Sequence, residues 1–191
     1  MQLTTKTSIN EQSQTMTLLP KSRNAIIVEG PGVAKVVSTS IPALAPTNVL
    51  VKTACVGLNP SDAKMIQAGV PPGSMAGLDF AGIIMAKGTD VSPDIRPGDR
   101  VCGVAFGYNN NSDTTGAFSE YVVAEEHMLF HIGDDISFEE AATFPCGLLT
   151  GGMVLHNTMK LRDVPPETTR YVLIYGGSTA SGLFMIQLLR Q

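Results

Sequence analysis

Residues 171–191 read YVLIYGGSTASGLFMIQLLRQ, and this stretch restricts the fold more than any other. The run 171–175 is apolar and bounded by glycine, the pattern of a central strand in a parallel sheet. Residues 183–189 are apolar almost all round, interrupted only by Gln187, so the helix they predict needs cover on every side. Backbone N–H groups of the glycine turn between them point toward the helix start. The helix dipole adds positive potential there, and a pyrophosphate fits. Against G-x-G-x-x-G, counted back from Gly182, Gly177 fills the first slot but Thr179 stands in the second. Ser178, Thr179 and Ser181 offer hydroxyl donors in place of the missing close-approach glycine. Gly177, Ser178, Thr179, Ala180 and Ser181 are therefore candidate phosphate-binding residues. The alternative is a glycine turn that only lets a helix pack on a strand. The turn has no lysine, so it is not a Walker A loop.

The same stretch raises the question of a membrane span, because 171–189 carries no charge. Its middle, 176–182, holds three glycines and three hydroxyl side chains, a poor hydrophobic centre. Strand, turn and helix explain it better. The rest of the composition agrees with a globular protein, 43% hydrophobic and 16% charged over 191 residues, enough for one domain and part of a second. A net charge of -4 and the lack of a basic run argue against nucleic acid and anionic membrane as partners. Cys55, Cys102 and Cys146 are widely spaced and odd in number, which predicts a reducing, cytoplasmic setting without a disulfide framework or zinc finger. Residues 1–23 lack the apolar core of a signal peptide and predict a loose tail.

Along the chain, strands are predicted at 24–29, 34–39, 49–56, 80–86, 100–105 and 119–123, with turn signals between them. A helix is predicted at 63–68, broken by Pro71, Pro72 and Gly73. A polar loop follows at 108–115. Ser137 and Glu140 form a capping box that opens a helix halting near Pro145, and a second helix follows from 147 to about 156. Residues 161–170 read as a polar linker. Short strands first, then helices, then a buried strand, turn and helix argue for a β-rich domain followed by the start of an α/β domain.

Six stretches occur in order: NPSDAK at 59–64, GLDFAG at 77–82, PGDRV at 97–101, GAFSEY at 116–121, SFEEAA at 137–142 and YGGSTA at 175–180. Together they resemble the medium-chain dehydrogenase/reductase superfamily and, within it, the stand-alone trans-acting enoyl reductases that serve fungal polyketide synthases. The resemblance implies an α/β fold with a β-rich part. A GroES-like catalytic domain over 24–144 would be followed by a Rossmann domain beginning at 145, of which the chain supplies the first strand, turn and helix. Zinc-dependent members carry a catalytic cysteine and a histidine where this chain has Asn59 to Asp62 and Gly77 to Asp79. Asp62 and Asp79 alone do not complete a catalytic zinc set, so the resemblance is to the zinc-independent branch and no metal is expected.

The chemistry implied is hydride transfer from NADPH to the β-carbon of an α,β-unsaturated thioester, followed by protonation of the α-carbon. The substrate would be carried by a partner synthase or acyl carrier domain. Ser61, Asp62, Ala63 and Lys64 would line the nicotinamide end of the cofactor. Lys64 is the candidate catalytic residue, through a hydrogen bond to the ribose or the developing oxyanion; the alternative is a solvated helix lysine. Pro145, Cys146, Gly147 and Leu148 would line the acyl pocket, and so would Leu149, Thr150, Gly151 and Gly152. Gly147, Gly151 and Gly152 would leave room for a chain, and ordinary close helix packing is the alternative. Cys146 has no basic neighbour in sequence and reads as a pocket or core residue. His127, His131 and His156 read as structural, and Asp79 and Asp99 as turn caps.

The residue that recognises the adenine ribose lies about 20 residues beyond the glycine loop in such domains. Nine residues follow Gly182. By resemblance the chain is about half a family member, which predicts open edges on the strand at 171–175 and uncovered apolar surface on the helix after it. The region from 161 on is then expected to be poorly ordered, or covered by a partner or a second copy, in a monomer or a dimer. Three readings follow: an enoyl reductase, truncated here and inactive alone; a non-catalytic partner-binding relative; and a zinc-free quinone or alkenal reductase.

Overall fold

The computed structural model describes residues 19–109, 114–163, 165, 169 and 171–190. The expected tail at 1–18, the middle of the polar loop at 110–113 and much of the linker at 164–170 lie outside them.

Two antiparallel strands, β1 (Ser22–Gly30) and β2 (Val33–Ser40), form a hairpin around Pro31 and Gly32, where two strands with a turn signal between them are predicted. Ser22 and Arg23, read from sequence as tail, already belong to β1, and Arg23 is buried. A second, five-stranded antiparallel sheet runs β6-β3-β4-β5-β7. Its strands are β3 (Asn48–Gly57), β4 (Asp79–Lys87), β5 (Arg100–Val104), β6 (Tyr121–Glu125) and β7 (Leu129–His131). The sixth predicted strand begins two residues late. Ser119 and Glu120 first bridge to Ala25 and Asn24 of β1, before the chain enters the larger sheet. The three-residue β7 is too short to carry a sequence pattern.

Both faces of the larger sheet are covered. Val49, Val51, Phe80, Ile84, Val101 and Val122 make the main core on one side. On the other, Ala81 and Cys102 meet Ala141 and Ala142 at the end of α2 (Phe138–Ala141). A large apolar side chain so buried contributes about 1.5–3 kcal/mol relative to exposure.

Helix α1 (Pro60–Ala68) begins three residues before its predicted start, with Pro60 pre-set for the first helical position. It ends at Ala68 as predicted, closed by Gly69 ahead of the Pro71–Gly73 cluster. Gly69 takes φ 76°, and its N–H caps the carbonyl of Ile66. The capping box opens α2 as predicted. Glu140 N donates to Ser137 Oγ at 3.1 Å, and Ser137 N donates to Glu140 Oε2 at 3.1 Å. Helix α3 (Pro145–Met153) continues into a single π-helical stretch, Val154–Thr158, and then a 3-10 turn, Leu161–Asp163.

Residues 171–175 form no strand ladder with any described residue. Tyr171, Leu173 and Tyr175 are more than nine-tenths exposed. An apolar run bounded by glycine predicts an extended chain, but a strand needs a neighbour to receive its N–H and C=O groups. Helix α4 (Ala180–Leu188) does form. One side packs on α3, with the Phe144 and Phe184 rings edge-to-face at 6.1 Å. Leu183, Ile186 and Leu189 on α4 and its last turn remain exposed, as an all-apolar helix with one covered side must leave them. Among the described residues no helix is long and apolar enough to cross a membrane.

Candidate functional site

Stretches far apart in sequence meet where β4 begins. Asn59, extended at φ -110° and ψ 150°, is the N-cap of α1. Its backbone N–H donates to Asp62 Oδ2 at 2.7 Å. The other Asp62 oxygen, Oδ1, accepts the Tyr108 hydroxyl at 3.0 Å. Tyr108 is buried in a left-handed conformation, φ 61°, held also by its N–H on the Met75 carbonyl. Asp79, the first residue of β4, is 2% exposed. Its Oδ2 accepts from Asn59 Nδ2 and its Oδ1 from the backbone N–H of Cys146, both at 2.8 Å.

Burial pushes the Asp79 carboxyl up to about 6; the Asn59 and Cys146 donors oppose the shift and the nearby Asp62 charge adds to it. Burial raises the Tyr108 phenol, and the Asp62 charge adds to that effect. Burial also raises the Cys146 thiol, with Asp79 adding to it, so Cys146 stays a thiol as its sequence context predicts. Cys102, buried beside the same carboxylate, is pushed up to about 11, chiefly by desolvation.

The residues expected at the nicotinamide end lie in the first turns of α1. Ser61 and Lys64, three apart, share a face, with Lys64 exposed and Ser61 half-buried. Ala63 is exposed. Asp62 points inward, and both of its oxygens are engaged by Asn59 and Tyr108. Its carboxylate therefore holds the turn that presents Ser61 and Lys64.

The glycine turn before α4 is tied internally. Thr179 N and Oγ1 both donate to the Gly176 carbonyl, at 2.9 and 2.8 Å. The same Oγ1 accepts from Gly182 N at 3.2 Å as the N-cap of α4. The Thr179 hydroxyl, expected to face phosphate, is thus a helix cap. Ser178 and Ala180 are exposed beside it, with Gly177 and Ser181 half-buried. A Cβ on Gly182 would stand 2.3 Å from the Gly176 carbonyl oxygen, so close approach of helix to turn requires glycine there.

Helix α3 divides its predicted pocket residues between two sides. A Cβ on Gly147 would meet the Phe184 ring at 2.7 Å, and one on Gly151 would touch Met185 and Leu188 at 3.4 Å. These two glycines seat α4 and leave no room for an acyl chain, because the all-apolar α4 takes the nearest small-residue face. Nothing lies within 4 Å of a Cβ on Gly152. Leu148, Leu149 and Gly152 line an open groove of about 420 Å³ with Met153, His156 and Leu188. Pro145 is buried, Cys146 half-buried and Thr150 exposed.

Asp99 caps its turn as expected, accepting from Arg96 N at 2.7 Å. Asp79 instead caps α3. Asn59 and Tyr108 were not legible as site residues. The Asn-Pro pair signals a helix start but not a bridge to Asp79, and nothing local ties Tyr108 to a carboxylate 46 positions away. His127 lies 3.0 Å from Glu125, His131 lies 4.0 Å from Asp99, and His156 lines the α3 groove. Among the described residues no three His, Cys, Asp or Glu side chains converge to hold a metal ion.

Comparison with known proteins places this geometry. Residues 45–134 match the alcohol dehydrogenase GroES-like domain. The trans-enoyl reductase caaB of Aspergillus niger is 40% identical, across 91% of this chain and 50% of its own length. The trans-enoyl reductase opdC of Penicillium oxalicum is 41% identical, across 91% and 51%. The chain spans about half the length of the curated relatives it matches. Among solved structures, the quinone oxidoreductase of Coxiella burnetii superposes with a TM-score of 0.67 at 29% identity, covering 89% of this chain and 54% of that one. Residues 45–134 thus carry the alcohol dehydrogenase GroES-like domain, and over about nine-tenths of its length the chain is similar to oxidoreductases of the medium-chain dehydrogenase/reductase type.

Proposed function

We propose that this chain supplies the catalytic domain, over 24–144, and the opening of the cofactor domain, from 145, of a trans-acting enoyl reductase. The reaction is NADPH-dependent reduction of an α,β-unsaturated thioester held on a partner polyketide synthase or its acyl carrier domain. The observation that carries this reading is the identity of about 40% to proteins named trans-enoyl reductases, sustained over 91% of the chain.

The residues present fit one end of the cofactor each. A pyrophosphate suits the start of α4, where Ser178 is exposed and the first-turn N–H groups ahead of Gly182 lack a helical acceptor, beside a turn that Gly182 keeps tight. When bound, NADPH supplies the hydride that reaches the substrate β-carbon. Lys64, exposed on α1, offers an ammonium for the ribose or for the thioester oxygen as negative charge develops there. Asp62 and Tyr108 hold the turn from which Lys64 projects. Leu148, Leu149 and Gly152 offer an apolar wall that keeps water from the acyl chain.

A quinone substrate is the second reading, favoured by the likeness to the Coxiella burnetii enzyme. NADPH oxidation measured on a crotonyl thioester and on a small quinone separates the two. Turnover with the thioester is the expected result, and turnover with the quinone alone overturns the enoyl reductase reading.

A further inference from the structure

Both helices of the proposed site begin against a buried carboxylate, and one residue, Asn59, joins the two carboxylates, through its backbone N–H to Asp62 and its side-chain amide to Asp79. Hydrogen bonds run unbroken from Tyr108 to α3. The Tyr108 hydroxyl donates to Asp62 Oδ1, and Asn59 N donates to Asp62 Oδ2. Asn59 Nδ2 donates to Asp79 Oδ2, and Cys146 N donates to Asp79 Oδ1. Asp62, Asp79 and Tyr108 are each at most 5% exposed. Every carboxylate oxygen has a donor, and breaking any link leaves a buried acceptor short of one, so the chain of bonds is stiff. Asp79 is anchored further by its place on β4, which is paired on both sides. A plain helix cap would need only the bond from Cys146. The second oxygen, bound to the N-cap side chain of α1, makes the cap a bridge.

We propose that Asn59 and Asp79 act together as positioning residues, fixing the first turn of α1 against the first turn of α3. Lys64 and the α3 groove are thereby held in one register toward a bound enoyl thioester. The inference rests on the enoyl reductase reading of those residues. Asp79 itself, buried with both oxygens engaged, does not reach substrate.

Asn59→Ala tests the bridge, because it removes the amide while touching nothing on α3. Asn59→Ser keeps a good N-cap for α1 but lacks the reach to Asp79 and serves as a second variant. Backbone amide exchange at Cys146 is expected to speed up several-fold in both variants. In the native enzyme kcat should fall about 10- to 100-fold, with KM changed far less, as misplacement of a reacting pair requires. Asp79→Asn preserves an acceptor for Cys146 and, with the Asn59 amide turned over, a partner for Asn59; slow exchange should largely be kept. Unchanged exchange at Cys146 in both Asn59 variants would overturn the bridge, as would a loss confined to melting temperature with wild-type kcat. If the wild-type enzyme reduces no enoyl thioester, the functional reading fails by itself, and the exchange measurement alone decides the bridge.

Discussion

The Asp79 carboxylate accepts the backbone N–H of Cys146 at 2.8 Å, so the first residue of β4 caps the first turn of α3 across 67 positions of sequence. That contact fastens the β domain to the helical region, and its strength depends on the charge of a buried carboxylate.

The stability of the protein should reflect that charge. The folded-state pKa of Asp79, about 6, lies above the unfolded value of roughly 4. Between these values the folded protein binds the extra proton, so the contribution of Asp79 to stability falls as pH rises through the window. Denaturation midpoints from pH 4 to 7 should show the wild type losing stability relative to Asp79→Asn as pH rises. Parallel curves for the two proteins would refute the assignment.

Gly147 and Gly152 should respond in opposite ways. Gly147→Val forces a side chain into the Phe184 ring and should destabilise the α3–α4 contact by about 1–3 kcal/mol. Gly152→Ala enters open space and should be neutral, or stabilising by up to about 1 kcal/mol through helix propensity. Chemical denaturation of the two variants reads both signs.

Arg23 should matter far more than a strand-end arginine ordinarily does. It is 2% exposed, and its guanidinium donates to the carbonyls of Thr114 and Tyr121. Arg23→Met keeps the apolar stem but removes both charge-assisted donors, and a loss of about 1–3 kcal/mol is expected. Arg23→Lys should recover part of it, since an ammonium reaches fewer acceptors than the guanidinium fork.

Lys64→Met should separate activity from stability. An exposed helix residue contributes within about 0.5 kcal/mol to folding. Loss of a donor to the developing oxyanion costs about 100- to 1000-fold in kcat. Wild-type kcat in the variant would make Lys64 a solvated helix lysine.

Local chemistry was legible in the sequence and distant pairing was not. Ser137 and Glu140 announce their capping box because both partners lie within one helical turn. The strands at 24–29 and 49–56 read correctly because each carries apolar residues with a core to meet, between local turn signals. The apolar run at 171–175 read as a buried strand, yet Leu173 and Tyr175 are exposed, because pairing depends on a neighbour that local pattern does not contain. At the site, Lys64 and Ser61 were placed by resemblance to a known motif. The inward turn of Asp62 toward Tyr108, and the reach of Asp79 to Cys146, depend on contacts 46 and 67 positions apart. Gly147 and Gly151 of α3 read as space for a ligand, since sequence does not show that α4 folds back over them, whereas Gly152 stays open.

The most direct test of the function is deuteride transfer. The native protein, given NADPH deuterated at C4 of the nicotinamide and an enoyl thioester on an acyl carrier domain, should yield a saturated product. One deuterium should sit at its β-carbon, detected by mass spectrometry. A product without deuterium, or NADPH consumption supported only by a quinone, would contradict the enoyl reductase assignment.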